Sequence, residues 1–252
     1  MSELPDHLAA VAGAEAAAHD YPLLFATVSG AHLYGFASAD SDIDVRGCHL
    51  LPIADVVGLW NGRETIESSH VRDGVEVDLV THDAAKFFSM LLKRNGYVLE
   101  QVLSPLRVRT GPPHEELCDI ARGCVTRHHA YHYLGFARST RKLFAKTRQR
   151  KPLLYTYRVL LTGLHLMRSG EVETNLERLN EDAGLSTIRD LIEAKRSGEE
   201  HGTLGDADGT AFEAELDRLT AELEAAKESS SLPERAAAAD RLHDFLVRLR
   251  LS

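Results

Sequence analysis

The spacing of apolar residues changes once along the chain, near Asp83. Before that point lie short runs that are continuous or alternating. After it, apolar residues recur every three or four positions. An alanine-rich segment over 5–19 reads as a helix, broken at Tyr21-Pro22. Leu23 to Val28 is a continuous apolar run, as expected of a strand covered on both faces. Gly30 ends it, and 30–35 has room for one or two helical turns. Ile43 to Leu51 alternates apolar with polar residues, the pattern of a second strand. The runs Glu64 to His70 and Val75 to Val80 flank Asp73-Gly74, a strong hairpin signal. Helical periodicity then predicts helices near 83–94, 96–103, 114–123, 126–147, 152–169, 187–197, 209–228 and 233–250. Ser229-Ser230-Ser231 with Pro233 marks a loop before the last of these. The predicted fold class is α/β of the α+β kind: a small mixed β-sheet domain over 1–110, then a helical domain over 111–252.

Composition narrows the range of partners. The 252 residues are 44% hydrophobic, enough to bury a sizeable core, and the net charge is −9. Such a balance argues against a generally basic nucleic-acid binder, so any polyanion must meet a local basic patch. Cys48, Cys118 and Cys124 follow no disulfide framework and point to a reducing compartment. Cys118 and Cys124 with His128, His129 and His132 fit no usual zinc spacing and read as buried helix residues. With no leader-like segment and no membrane-length apolar run, the expectation is a soluble cytoplasmic protein without a membrane partner.

The chemistry concentrates between Ser29 and Arg46. Strand residues two apart share a face, so Asp42 and Asp44 project together, with Arg46 next on that side. Asp78 lies on the later Val-Asp-Leu-Val run. If the two strands are neighbours, three carboxylates converge and repel one another unless cations are present. Mg2+ meets that need, because it bridges one or two carboxylates to substrate phosphates; Mn2+ is the alternative ion. Two such ions would activate an attacking hydroxyl and stabilise a departing pyrophosphate. The glycine turn upstream adds backbone N–H groups suited to phosphate.

Gly30-Ala31, ten residues, Asp42-Ile-Asp44 and a later strand aspartate resemble the polymerase-β nucleotidyltransferase superfamily. His32-Leu-Tyr-Gly35 and Ser41-Asp-Ile-Asp-Val-Arg-Gly47 are similar to the YcgL-type nucleotidyltransferases, a group that includes RNA-ligase-associated enzymes. A weaker similarity continues through Asn175-Leu-Glu-Arg-Leu179 and Leu191-Ile-Glu-Ala-Lys195. The resemblance implies metal-dependent transfer of a nucleotide from a nucleoside triphosphate such as ATP. It places Asp42 and Asp44 on both metals and Asp78 on one. Ser29, Gly30, Ala31, His32, Ser41 and Arg46 become candidate nucleotide ligands. Ala31 stands where the family usually has serine, so one hydroxyl contact to the triphosphate is lost and the backbone N–H is kept.

A second cluster is basic. Arg138, Arg141, Lys142, Lys146, Arg148, Arg150 and Lys151 include no acid among them, a local reversal of charge. At helical spacing, Arg138, Arg141 or Lys142, and Lys146 form a stripe suited to triphosphate or to the backbone of an RNA end. Lys142, Lys146 and Arg148, with Tyr155 as a base-stacking residue, complete the expected nucleotide-binding set. The leading expectation is an enzyme that joins a nucleoside monophosphate to a nucleic-acid end, as in RNA repair. A protein-nucleotidylating, antitoxin-like enzyme and a non-catalytic nucleotide-binding module are its rivals.

Overall fold

The computed structural model describes residues 4–197 and 206–252. The chain opens with α1 (Asp6–Ala17), β1 (Leu23–Val28) and the short α2 (Gly30–Tyr34). It continues through β2 (Ile43–His49), α3 (Ala54–Val57), β3 (Thr65–Arg72) and β4 (Val75–Asp83). Then come α4 (Ala84–Leu92), α5 (Gly96–Val102), β5 (Arg107–Arg109) and α6 (Pro112–Arg122). The rest is helical: α7 (Ala130–Thr147), α8 (Arg150–Ser169), α9 (Leu176–Ala183), α10 (Ser186–Arg196), α11 (Asp206–Ser229) and α12 (Ala239–Leu251). The fold is α+β, and no helix among the described residues is long and apolar enough to cross a membrane.

The five strands form one mixed sheet in the order β3-β4-β2-β1-β5. β2 pairs parallel with β4; β1–β2, β3–β4 and β1–β5 are antiparallel. Asp73-Gly74 makes the β3–β4 turn, with Asp73 at φ +51° and Gly74 at φ +80°, as this two-residue hairpin requires. β1 is buried from Leu24 to Val28 because both faces of the sheet are covered. On one face Phe25 meets Phe87 of α4 edge-on and stacks on His114 of α6, with ring centroids 5.3 and 4.7 Å apart. Thr27, on that same face, donates its hydroxyl to Gln101 O of α5 at 3.0 Å. On the other face His19, just past α1, bonds Thr81 at 2.9 Å.

The chain divides into two compact units. One comprises 1–33, 41–125 and 235–252; the other comprises 34–40 and 126–234. In the second, α8 is buried along most of its length and is the centre of its bundle, with α7, α9, α10 and α11 against it. Residues 34–40 belong to this unit for clear reasons. Arg158 of α8, itself buried, lies over the Tyr34 ring at 4.0 Å, and Tyr155 packs edge-on against Tyr34 and Phe36. Gly35, at φ +84°, leaves no room for a Cβ, which would stand 2.6 Å from Asn175 Oδ1. That oxygen caps α9 by accepting from Glu177 N and Arg178 N.

The C-terminal helix α12 belongs to the sheet-bearing unit. Phe245 stacks on Phe88 of α4 at 5.7 Å. Arg250 Nη2 lies 2.6 Å from both Asp83 oxygens, and its Nη1 donates to Leu51 O. Asp83 also accepts from Leu51 N and Ala85 N, so it caps α4 while holding the last turn of the chain. The pair is buried, and removing one partner leaves an uncompensated charge. Arg250→Ala is expected to cost about 3 kcal/mol in urea unfolding, the low end for such a pair because Asp83 keeps two backbone donors. A loss within the range of an exposed ion pair would contradict this anchoring.

Candidate active site

Asp44 and Asp78 occupy paired positions on the adjacent parallel strands β2 and β4. They share one face of the sheet with Arg46 and with its cross-strand partner Thr27. The buried Ser29 donates its N–H to Asp44 O at 2.9 Å, carrying the ladder up to the glycine turn. Gly30 then adopts φ +63°, and a Cβ there would stand 1.8 Å from Asp44 Oδ2. Only glycine lets this carboxylate lie against the turn.

Arg46 fills the space between the two acids. Its Nη2 donates to Asp44 Oδ1 at 2.5 Å and to Asp78 Oδ2 at 2.8 Å. Nη1 donates to Asp78 O at 2.6 Å and Val45 O at 3.0 Å, and Nε donates to Tyr97 Oη at 2.7 Å. Burial alone would pull the guanidinium pKa down. Tyr97, Asp44 and the bond to Asp78 outweigh it and hold the group above its ordinary value. Arg46 therefore remains a cation inside the site, anchored on three sides. The Asp44 and Asp78 side chains are 18% and 38% exposed, so Asp78 is the one more open to solvent.

Asp42, just before β2, is half-buried and lies beside His32. Burial lowers the His32 pKa, while the Ser41 and Asp42 backbone and the Asp42 carboxylate pull the other way. Ala31 is buried at the turn. Among the described residues no three His, Cys, Asp or Glu side chains are arranged to hold an ion by themselves. Arg46 bridges Asp44 and Asp78, and Asp42 lies beside His32.

The remaining expected ligands lie in the helical unit. Lys142 and Lys146 are exposed on α7. Arg141, between them and Arg138, is committed to α11: its Nε donates to Glu213 and its Nη1 to Asp217, each at 2.6 Å. Arg148 closes α7 in a left-handed conformation, with its guanidinium 5.8 Å from the Phe144 ring. Tyr155, expected to stack on a base, is part of the Tyr34–Phe36 aromatic cluster. One residue of the site escaped sequence reasoning. Tyr97 reaches Arg46 because Asn95 caps α5 through Tyr97 N at 3.0 Å and so starts the helix there. The Asn95-Gly96 start was readable; which residue its first turn faces was not.

Comparison with known proteins agrees with the motif. Residues 6–248 match the model of the family described as the RNA repair pathway DNA polymerase beta family. The chain belongs to that family, and so to the polymerase-β type of nucleotidyltransferases. A Methanocaldococcus jannaschii protein described only as uncharacterised is 30% identical over 158 residues, 60% of this chain. The match spans 63% of that relative's length. A solved nucleotidyltransferase-like protein of Exiguobacterium sibiricum aligns at 13% identity and a TM-score of 0.33, over 94% of this chain and 77% of its own.

The contact of Asp44 with Gly30 can be tested without any ligand. Gly30→Ala is expected to cost about 1–2 kcal/mol from the left-handed backbone alone, and more from the displaced carboxylate. Adding Asp44→Ala should return part of that loss in urea unfolding, as coupled neighbours do. Strict additivity of the two changes would contradict the contact.

Proposed function

We propose that the chain transfers a nucleoside monophosphate from a nucleoside triphosphate to a hydroxyl at an RNA end, with release of pyrophosphate. The observation that carries this reading is the in-register pair Asp44 and Asp78, with Asp44 packed on the Gly30 turn. Family membership supports the reaction type. The donors are all carboxylate oxygens, which suit Mg2+ or Mn2+, and a pair of acids suffices where phosphate oxygens complete the coordination. In this reading Asp44, Asp78 and Asp42 would hold the ions. When bound, the ions increase the acidity of the acceptor hydroxyl and stabilise the charge that develops on pyrophosphate.

The chain's own residues do the rest. Asp78, the more exposed acid, meets the incoming hydroxyl. The Gly30-Ala31 turn lets the triphosphate approach backbone N–H groups that a side chain at Gly30 would displace. His32 and Ser41 border that turn, and Ser29 holds its register through Asp44 O. Arg46 orients the two acids. The exposed Lys142 and Lys146, with Arg148 nearby, give a chain of net charge −9 a local contact for an RNA backbone.

The test is incubation with α-labelled nucleoside triphosphates, Mg2+ and RNAs of defined 5′ and 3′ ends. Label should pass to RNA with equimolar pyrophosphate, and Asp44→Asn should lower the rate by about 1,000-fold or more, as loss of a metal ligand does. Lys142→Gln with Lys146→Gln should raise KM for RNA and flatten its salt dependence, leaving kcat nearly unchanged. Label that passes to protein and never to RNA would overturn the acceptor. Pyrophosphate release unaffected by Asp44→Asn would overturn the site.

A further inference from the structure

We infer that Arg46 is a resident counter-cation of the acidic pair: it orients Asp44 and Asp78 and, by its charge, holds down their affinity for a divalent ion when no nucleotide is bound. The inference rests on the proposed metal site, and gives Arg46 a role other than the nucleotide contact that the resemblance implies. Arg46 is 7% exposed, and its donors are directed to Val45 O, Asp78 O, Tyr97 Oη and the two carboxylates. A side chain so fully committed inward is poorly placed to grip a phosphate. It is well placed to fix the rotamers of both acids, since a single nitrogen, Nη2, bonds one oxygen of each.

The sign of its effect on metal binding follows from two opposing terms. Losing Arg46 would free two short side chains to rotate, which weakens ligation modestly. It would also remove a unit positive charge in hydrogen-bond contact with both carboxylates. In a half-solvated site the repulsion between that charge and a divalent ion exceeds the rotational term. Charge wins, so a neutral residue at position 46 should bind metal more tightly while positioning it worse. Affinity and turnover then move in opposite directions, which no merely structural role predicts. Tyr97 is the second positioning residue. Its hydroxyl fixes the Nε end of the guanidinium without contributing to the charge balance.

The experiment is Mn2+ titration of the full chain by electron paramagnetic resonance, without nucleotide, alongside the labelling assay. Arg46→Gln should bind Mn2+ at least about tenfold more tightly than the natural chain, yet turn over more slowly. Arg46→Lys, which keeps the charge, should stay within about threefold of the natural chain in affinity. Tyr97→Phe should likewise leave affinity within about threefold while lowering kcat. Equal or weaker binding by folded Arg46→Gln, or binding by Arg46→Lys as tight as by Arg46→Gln, would overturn the inference. If Arg46→Gln does not fold, the Lys and Phe variants decide it: a tenfold change in either affinity overturns it. Asp44→Asn separates the two levels of the argument. Its loss of Mn2+ binding supports the metal site whatever happens at Arg46, whereas unchanged binding removes the site and the inference with it.

Discussion

Two carboxylates in paired positions on neighbouring strands repel each other, and the centre of the sheet is arranged around that repulsion. Asp44 and Asp78 face the same side of the sheet because β2 and β4 run parallel in the register that pairs them. A cation between them relieves that repulsion, and Arg46 supplies it from within the same strand as Asp44. The glycine turn is the complementary constraint. With a side chain at Gly30, Asp44 would have to move, and the acid would part from the turn. One arginine and one glycine therefore hold the two acids in place.

The surrounding structure supports this arrangement from a distance. α5 sends Tyr97 to Arg46 and receives Thr27 at Gln101 O, so one helix braces β1 and β2. Asp83, at the end of the strand that carries Asp78, is fixed by the last turn of the chain through Arg250. Tyr34 and Gly35 serve the other unit, against Arg158 and Asn175. The similarity in His32-Leu-Tyr-Gly35 and in Asn175-Leu-Glu-Arg-Leu179 is thus partly one packing contact seen twice.

Local signals in the sequence suffice where local physics decides. The continuous run Leu23–Val28 is a strand with those bounds, and Asp73-Gly74 turns the expected hairpin. Most helices after Asp83 lie within a few residues of their predicted spans. The exceptions have causes. β5 is a three-residue edge strand, Arg-Val-Arg, with too little apolar pattern to register. α9 is short and acidic, although Asn175 and Gly184 at its ends were usable caps. The last helix begins at Ala239 rather than near 233, because Ala238 first bonds Gly123 O at 3.1 Å. At the site, the shared face of Asp44 and Arg46 is legible from spacing. The bridge from Arg46 to Asp78 and its bond to Tyr97 are not, since they depend on strand register and on which way α5 faces.

The central claim is that Asp44 and Asp78 are a metal-binding pair serving a nucleoside triphosphate. Its most direct test is anomalous scattering from crystals grown with Mn2+ and a non-hydrolysable α,β-methylene nucleoside triphosphate. The account predicts an anomalous peak in contact with Asp44 and Asp78, with triphosphate oxygens completing its coordination. Triphosphate and Mn2+ bound together elsewhere, with no ion at the two aspartates, would contradict it.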